Sequence, residues 1–250
     1  MNKVVKENWR FLLFVLITGI IGGYFTGIYS YESLSVDLLS DLQKQNVTKE
    51  MLGLVSMIQY GIVYSFVLAA IGILLSQKVN LWKKIEFNKK ALIITLIITI
   101  PSALLLFPGD KLIFGNLNKW VNNSYINPPT ISKVICGFLT GGVTEEIMMR
   151  LFLMSLIVFI ISKILKKKEI PVYIYVISNI LSALLFAALH LPATSTMTTI
   201  TPIIVIRCFI FNGGLGLAFG YLYRKYGIVY AMISHGFMHL IADILAIILI

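Results

Sequence analysis

Charged residues are scarce in this sequence. Asp, Glu, Lys and Arg make up 13% of its 250 residues, whereas 58% are hydrophobic. A soluble domain carries roughly 25% charged residues, and no polar stretch here is long enough to form one. Cysteine is almost absent too, since only Cys136 and Cys208 occur, both in apolar stretches. Two cysteines are too few for a disulfide framework or a zinc cluster, so we predict no disulfide.

The sequence also has no Gly-rich phosphate loop, no nucleotide-binding fingerprint and no Arg-rich face. Its net charge of +10 would otherwise suggest a nucleic-acid partner. The basic residues, however, cluster in short loops between apolar stretches, where they set the orientation of a membrane protein. We therefore predict the lipid bilayer as a partner and no nucleic acid.

Long apolar runs are what the chain has instead. A helix needs about 20 apolar residues to cross the hydrocarbon. The first run is longer than the roughly 7–15 residues of a signal-peptide core, so we interpret it as an anchor. We predict an all-α, polytopic transmembrane helix bundle, with about three spans in residues 1–130 and four in 131–250. The predicted spans are approximately 11–29, 52–76, 91–107, 131–162, 171–190, 202–222 and 228–250.

The loops between these spans alternate in charge. The N-terminus and loops 77–90, 163–169 and 223–227 are basic, whereas 191–201 carries no charge. Basic loops stay in the cytoplasm. This predicts a multi-pass cell-membrane protein with its N-terminus inside and its C-terminus outside. Richness in Lys and Ile favours a bacterial plasma membrane.

Ionisable residues inside the spans are candidates for function, because burying them in a membrane is costly. The densest group is Glu145, Glu146 and Arg150 in the fourth span. Glu146 and Arg150 are four residues apart and can pair on one helix face, while Glu145 points about 100° away. Arg150 can keep one carboxylate ionised while the other accepts or donates a proton. The alternative is a purely structural ion pair.

The three histidines of the chain lie in the fifth and seventh spans. His190 follows Phe186 by one turn, and a histidine at a helix end is often merely interfacial. His235, His239 and Asp243 step by four along one face. Asp243 can orient His239, and the spacing also suits a metal. The alternative is a polar seam between helices.

The sixth span contains Arg207 near its outer end and a Gly-rich stretch that begins at Asn212. We interpret Arg207 as a snorkelling side chain whose charge reaches the interface. The glycines Gly213, Gly214, Gly216 and Gly220 predict close helix contact rather than chemistry.

Three motifs in this order resemble the CPBP family. They are Glu145-Glu146-x-x-x-Arg150, Phe186-x-x-x-His190 and His235-x-x-x-His239. The CPBP family comprises the CAAX-processing and bacteriocin-processing intramembrane endopeptidases, and it is also called the Abi or CAAX prenyl protease 2 family. The segment 211–235 is similar to the family's lead-in to its last histidine, and the resemblance covers about 131–245.

The resemblance implies an intramembrane endopeptidase that cuts a membrane-associated protein or peptide. It implies that Glu145 activates a water with help from His190, and that Glu146 and Arg150 order the site. His235 would stabilise the oxyanion together with a polar residue four positions on. The family usually has Asn or Asp at that position, where this chain has His239.

A histidine at position 239, where the family usually has Asn or Asp, makes a metal site more plausible. Glu146, His190 and His235 or His239 are possible ligands for zinc, with Glu145 as base. No pair has the His-Glu-x-x-His arrangement, however, and Arg150 competes with a cation for Glu146. We expect catalysis without an obligatory metal or other cofactor.

Two further functions stay open at this point. Buried Glu, His and Asp also serve as proton relays in transporters and channels, although the sequence shows no inverted repeat. A catalytically silent immunity or scaffold protein is the other alternative.

The predicted spans leave one mismatch, because they place His190 near the outer surface and His235 near the inner one.

Overall fold

The computed structural model describes residues 6–166 and 169–250. These residues form helices and no β-strand. Seven of the helices are long and apolar enough to cross a membrane, which confirms the predicted number of spans and the all-α class. In chain order the helices are α1 (Trp9–Glu32), α2 (Val36–Lys44), α3 (Lys49–Lys78), α4 (Lys89–Leu117), α5 (Lys119–Asn123), α6 (Ile131–Ile164), α7 (Val172–Ser195), α8 (Pro202–Tyr226) and α9 (Ile228–Leu249).

Two helices run further than the sequence predicted. We expected the third span to end at about residue 107, yet α4 continues through Pro108 and Gly109 to Leu117. A π-helical segment, Leu105–Gly109, lets the chain pass this Pro-Gly pair. Likewise α7 continues past Pro192 to Ser195 instead of ending near residue 190.

Helix α6 lies at the centre of the bundle and packs against α1, α3, α7 and α9. Much of it is π-helical, over Cys136–Glu145 and Ile147–Met154. Such wide turns are rare and often mark functional sites. They flank Glu146, so the acidic pair lies in the irregular part of this helix.

The approach of α6 to α9 depends on a glycine on each helix. A Cβ atom added at Gly142 would lie 2.6 Å from the Cα atom of Gly236. Small residues allow transmembrane backbones to come this close. The contact sets Glu145 and Glu146 of α6 beside His235 of α9.

Candidate active site

The buried part of the site consists of Glu146, Arg150 and His235. The Glu146 and Arg150 side chains are 0% and 1% exposed, with Arg150 Nη1 3.0 Å from Glu146 Oε1. The same carboxylate oxygen lies 2.8 Å from Nδ1 of His235. A carboxylate beside a guanidinium is an acceptor, so Nδ1 of His235 donates the hydrogen bond. This leaves Nε2 of His235 directed towards Glu145.

Arg150 is held in place by contacts from two other helices. Its Nη2 donates to the carbonyl oxygen of Gly216 on α8 at 2.9 Å. Its guanidinium carbon lies 4.7 Å from the centre of the Phe186 ring and 5.6 Å from that of Phe219. A planar cation suits a hydrogen bond in its plane and aromatic rings over its faces.

Glu145 faces the open side of α6. Its side chain is 26% exposed and lies between two imidazoles. Oε1 is 3.9 Å from Nε2 of His190, and Oε2 is 3.9 Å from Nε2 of His235. Both distances exceed a hydrogen bond and fit a bridging water. The structure thus brings the first Glu of the motif together with two of the three predicted histidines.

The surroundings of His190 define which of its nitrogens carries the proton. Nδ1 lies 2.8 Å from the carbonyl oxygen of Phe186, one turn earlier on α7. A carbonyl only accepts, so Nδ1 donates and neutral His190 presents a lone pair at Nε2. His190 also meets Glu145 at the same depth as His235, because α7 continues beyond it to Ser195. The depth mismatch inferred from the predicted spans is therefore wrong.

His239 extends the site along α9. Its ring stacks on His235, with centroids 5.1 Å apart and an angle of 30° between planes. A Cβ atom added at Gly141 would lie 3.2 Å from Nε2 of His239 and 3.6 Å from Nε2 of His235. The glycine thus leaves a space into which both imidazoles reach.

Asp243 serves a different partner from the one its spacing suggested. Its Oδ1 lies 3.3 Å from Nζ of Lys133, near the start of α6. Because Asp243 pairs with this lysine, no carboxylate orients His239 within the part of the chain that the structure describes.

The ligand set considered for zinc does not come together. Across residues 6–166 and 169–250, no group of three or more His, Cys, Asp or Glu side chains is arranged to hold a metal ion. The reason is that Oε1 of Glu146 faces Arg150 and His235, while His190 faces Glu145 instead. The residues present do not fit a zinc site of the proposed composition.

Sequence reasoning missed a second buried polar group, formed by Asp110, Tyr125 and Arg207. Asp110 is 0% exposed and accepts from Arg207 Nε at 2.8 Å and Nη2 at 2.5 Å. Tyr125 donates to the same carboxylate at 2.6 Å, and burial and this carboxylate raise the pKa of the Tyr125 hydroxyl. The interpretation of Arg207 as a snorkelling side chain is wrong, because it pairs inward. Asp110 escaped notice since Pro108 and Gly109 gave it the appearance of a loop residue.

Phe219 was missed as well. Its ring stacks on His235 with centroids 4.5 Å apart and only 18° between planes. Sequence offers one signal for it, its position in the Gly-rich stretch that resembles the family's lead-in to the last histidine. An aromatic surface here fixes the plane of the imidazole.

Comparison with known families identifies the segment that carries this site. Residues 127–241 match the family model described as type II CAAX prenyl endopeptidase Rce1-like. Searches of curated proteins and of solved structures return no significant match. The matched segment contains all six predicted site residues, and it confirms the resemblance drawn from the three motifs. Residues 127–241 are therefore similar to the Rce1-like type II CAAX prenyl endopeptidases.

Proposed function

We propose that the protein hydrolyses a peptide bond in a membrane-associated protein or peptide, with Glu145 activating the attacking water. The observation that carries this proposal is the position of Glu145. It is a partly exposed carboxylate that lies 3.9 Å from an imidazole nitrogen on each side. Peptide hydrolysis needs a base for water and a donor for the developing oxyanion; Glu145 offers the base, and His235 becomes the donor once its Nε2 is protonated.

The attacking water lies between Glu145 and His190. Neutral His190 presents a lone pair at Nε2, because its Nδ1 donates to the Phe186 carbonyl. A water that donates one hydrogen to this lone pair and the other to Glu145 has its own lone pairs free. These point away from both residues, towards the carbonyl carbon of a bound substrate. A water oriented in this way is placed to attack the carbonyl carbon of the substrate.

The proton follows the same residues. As the water oxygen bonds to the carbonyl carbon, one O–H proton passes to Glu145 and the carbonyl oxygen becomes an oxyanion. Glu145 passes this proton to Nε2 of His235, and the imidazolium formed is stabilised by Glu146 at Nδ1. It donates to the oxyanion beside His239, in the space above Gly141. When the C–N bond breaks, His235 gives the proton to the leaving nitrogen, which yields a carboxylic acid and an amine; the acid proton then passes to the amine, leaving a carboxylate and an ammonium group.

Glu146 and Arg150 act as positioning residues. Glu146 fixes the tautomer of His235 through Nδ1, and Arg150 holds Glu146 in place from the opposite side. Such supporting contacts fix the orientation of a functional imidazole. Neither side chain reaches the open side of α6, since both are almost completely buried.

The experiment compares membrane peptides from cells that express the wild type, Glu145→Gln and Glu169→Gln. Glu169 is an exposed glutamate outside the helices and serves as the matched control. We expect uncleaved precursors to accumulate with Glu145→Gln alone, at equal expression of the three proteins. Unchanged cleavage by Glu145→Gln would overturn the proposed role of this residue.

A further inference from the structure

A pocket lies at the opposite end of α6 from Lys133. It has a volume of about 620 Å³ and opens between the end of α3, the end of α6 and the chain that leads into α7. We call it the lysine pocket, because three of its lining residues are lysines. The lining residues are Lys78, Asn80, Phe159, Ser162, Lys163, Lys166 and Ile170.

Two ammonium groups of the lysine pocket lie near one aromatic ring and have no acidic partner among the described residues. Lys78 Nζ lies 5.5 Å and Lys163 Nζ 5.8 Å from the centre of the same Phe159 ring. Within the described residues, neither of these lysines nor Lys166 forms an ion pair. Like charges brought together repel one another. An anion between them would remove that cost and gain hydrogen bonds from all three.

The backbone supports a defined shape for the lysine pocket. Asn80 and Lys166 have positive φ angles of 57° and 48°. Asn tolerates this conformation, but for Lys it is uncommon. A glycine is the usual residue where a helix ends in this way, as α6 does before Lys166. A lysine that lines the pocket is thus held at a position where glycine would cost less.

The position of the lysine pocket defines the kind of anion. The apolar spans α3 and α6 end here, at the level where lipid headgroups lie. Phe159 and Ile170 give the pocket an apolar part. On the adjacent face of α6, Ile160 and Ile164 are 45% and 72% exposed and offer a surface for acyl chains. A soluble phosphate compound would gain nothing from these apolar groups.

We propose that the lysine pocket binds the phosphate headgroup of an anionic phospholipid. Basic pockets between transmembrane helices are suited to such headgroups. The three lysines face the phosphate, Asn80 contributes a polar contact, and Phe159 contacts the first part of the lipid chain region. This binding site is separate from the candidate active site, since Phe159 follows Arg150 by nine residues along α6.

The test titrates the detergent-purified full chain with phosphatidylglycerol or with phosphatidylcholine of the same acyl chains, and measures retained lipid by native mass spectrometry. The pocket variant combines Lys78→Gln, Lys163→Gln and Lys166→Gly. The control variant combines Lys89→Gln, Lys90→Gln and Lys225→Gln, which removes the same charge from exposed residues at the start of α4 and the end of α8. A competition arm adds glycerol phosphate.

We expect the wild type to prefer phosphatidylglycerol, and the pocket variant to lose about 100-fold in affinity for it. Each lysine near an anionic lipid contributes about 1 kcal/mol, which is about fivefold in affinity. The control variant should change by less than about fivefold, the contribution of one lysine. Lys166→Gly alone should lose about fivefold without a lower melting temperature, because glycine adopts its backbone conformation freely.

Three results would overturn the proposal. Equal losses in the pocket and control variants would indicate diffuse surface charge in place of a site. Equal affinity for the two lipids would exclude headgroup selection. Displacement of the lipid by equimolar glycerol phosphate would assign the pocket to a soluble anion.

Discussion

Glu145 and Glu146 are sequence neighbours in different surroundings. On a helix adjacent residues point about 100° apart, and here the result is one glutamate at 26% exposure and the other at 0%. Glu146 is committed to Arg150 and His235, whereas Glu145 contacts its imidazoles only across a gap of 3.9 Å. The two side chains should therefore respond differently to the same substitution.

The first prediction separates activity from stability at this pair. Glu146→Gln leaves the Arg150 charge buried without its carboxylate, so we expect a loss of about 3 kcal/mol in the free energy of unfolding. The Glu145 side chain is partly exposed, so Glu145→Gln should change the free energy of unfolding by less than about 0.5 kcal/mol, although it should abolish cleavage. Thermal unfolding of the two purified variants checks this. Equal melting temperatures for Glu145→Gln and Glu146→Gln would contradict the separation of roles.

The second prediction concerns His239. The resemblance implies Asn or Asp at this position, and an amide can donate a hydrogen bond into the space above Gly141 as an imidazole does. We expect His239→Ala to lower kcat by about 100-fold, the effect of removing one oxyanion donor. His239→Asn should retain most of the activity. If both variants are equally impaired at unchanged stability, His239 acts through something other than donation.

The sequence predicted the Glu146–Arg150 pair because residues four apart on a helix share a face. The three motifs also predicted the resemblance that the family model over residues 127–241 confirms. It did not predict that Phe219 stacks on His235, since a contact between two helices leaves no local pattern in an apolar sequence. Nor did it predict the pairing of Asp243 with Lys133, because α6 and α9 had no predicted alignment along their axes.

At the scale of helices, the Asp110–Arg207 pair links α4 to α8 and, through Tyr125, to the chain after α5. The third prediction is that Asp110→Ala costs about 3–5 kcal/mol, because the Arg207 charge would lose its partner. Tyr125→Phe removes one hydrogen bond to a charged group and should cost about 2 kcal/mol. The double variant Asp110→Ala/Arg207→Ala should lose less than the sum of the two single variants. Strict additivity in thermal unfolding would contradict a direct coupling between these residues.

The fourth prediction tests the close contact of α6 with α9. In Gly142→Ala the new methyl group would meet the Cα atom of Gly236 at 2.6 Å, so the two backbones must separate. Overpacking of this kind costs about 1–3 kcal/mol, and it should also weaken activity by moving His235 away from Glu146. Gly214→Ala is the matched control, because nothing lies within 4 Å of its added Cβ atom. A Gly142→Ala protein as stable and active as the control would mean that the helices need no glycine here.

The ends of helices were the least predictable elements. Pro108-Gly109 and Pro192 are residues that usually end helices, yet α4 and α7 continue through them. In α4 Pro108 has no backbone N–H to donate, and the π-helical turn Leu105–Gly109 accommodates it within the helix. Tertiary packing explains why these helices continue. Asp110 lies just after Pro108 and His190 just before Pro192, and each contacts a partner on another helix.

At the scale of the whole molecule, apolar composition alone predicted seven spans, because the membrane thickness defines the length of a spanning helix. The direction of the bundle is a separate question, and the fifth prediction addresses it. Residues 79–88 and 165–171 separate α3 from α4 and α6 from α7 in the sequence, and the ends of α3 and α6 line the same pocket. Both segments contain lysines, so the positive-inside rule places them in the cytoplasm.

Seven spans then place the N-terminus inside and Ile250 outside. In whole cells, a membrane-impermeant thiol reagent should label a cysteine introduced at Ile250 and should not label one introduced at Lys84, with Cys136 and Cys208 replaced by Ala. Permeabilised cells should allow both to react, because Lys84 is exposed on its loop. Labelling of Lys84→Cys in whole cells would reverse the orientation. The lysine pocket would then face the outer leaflet, and its lipid would have to be supplied from there.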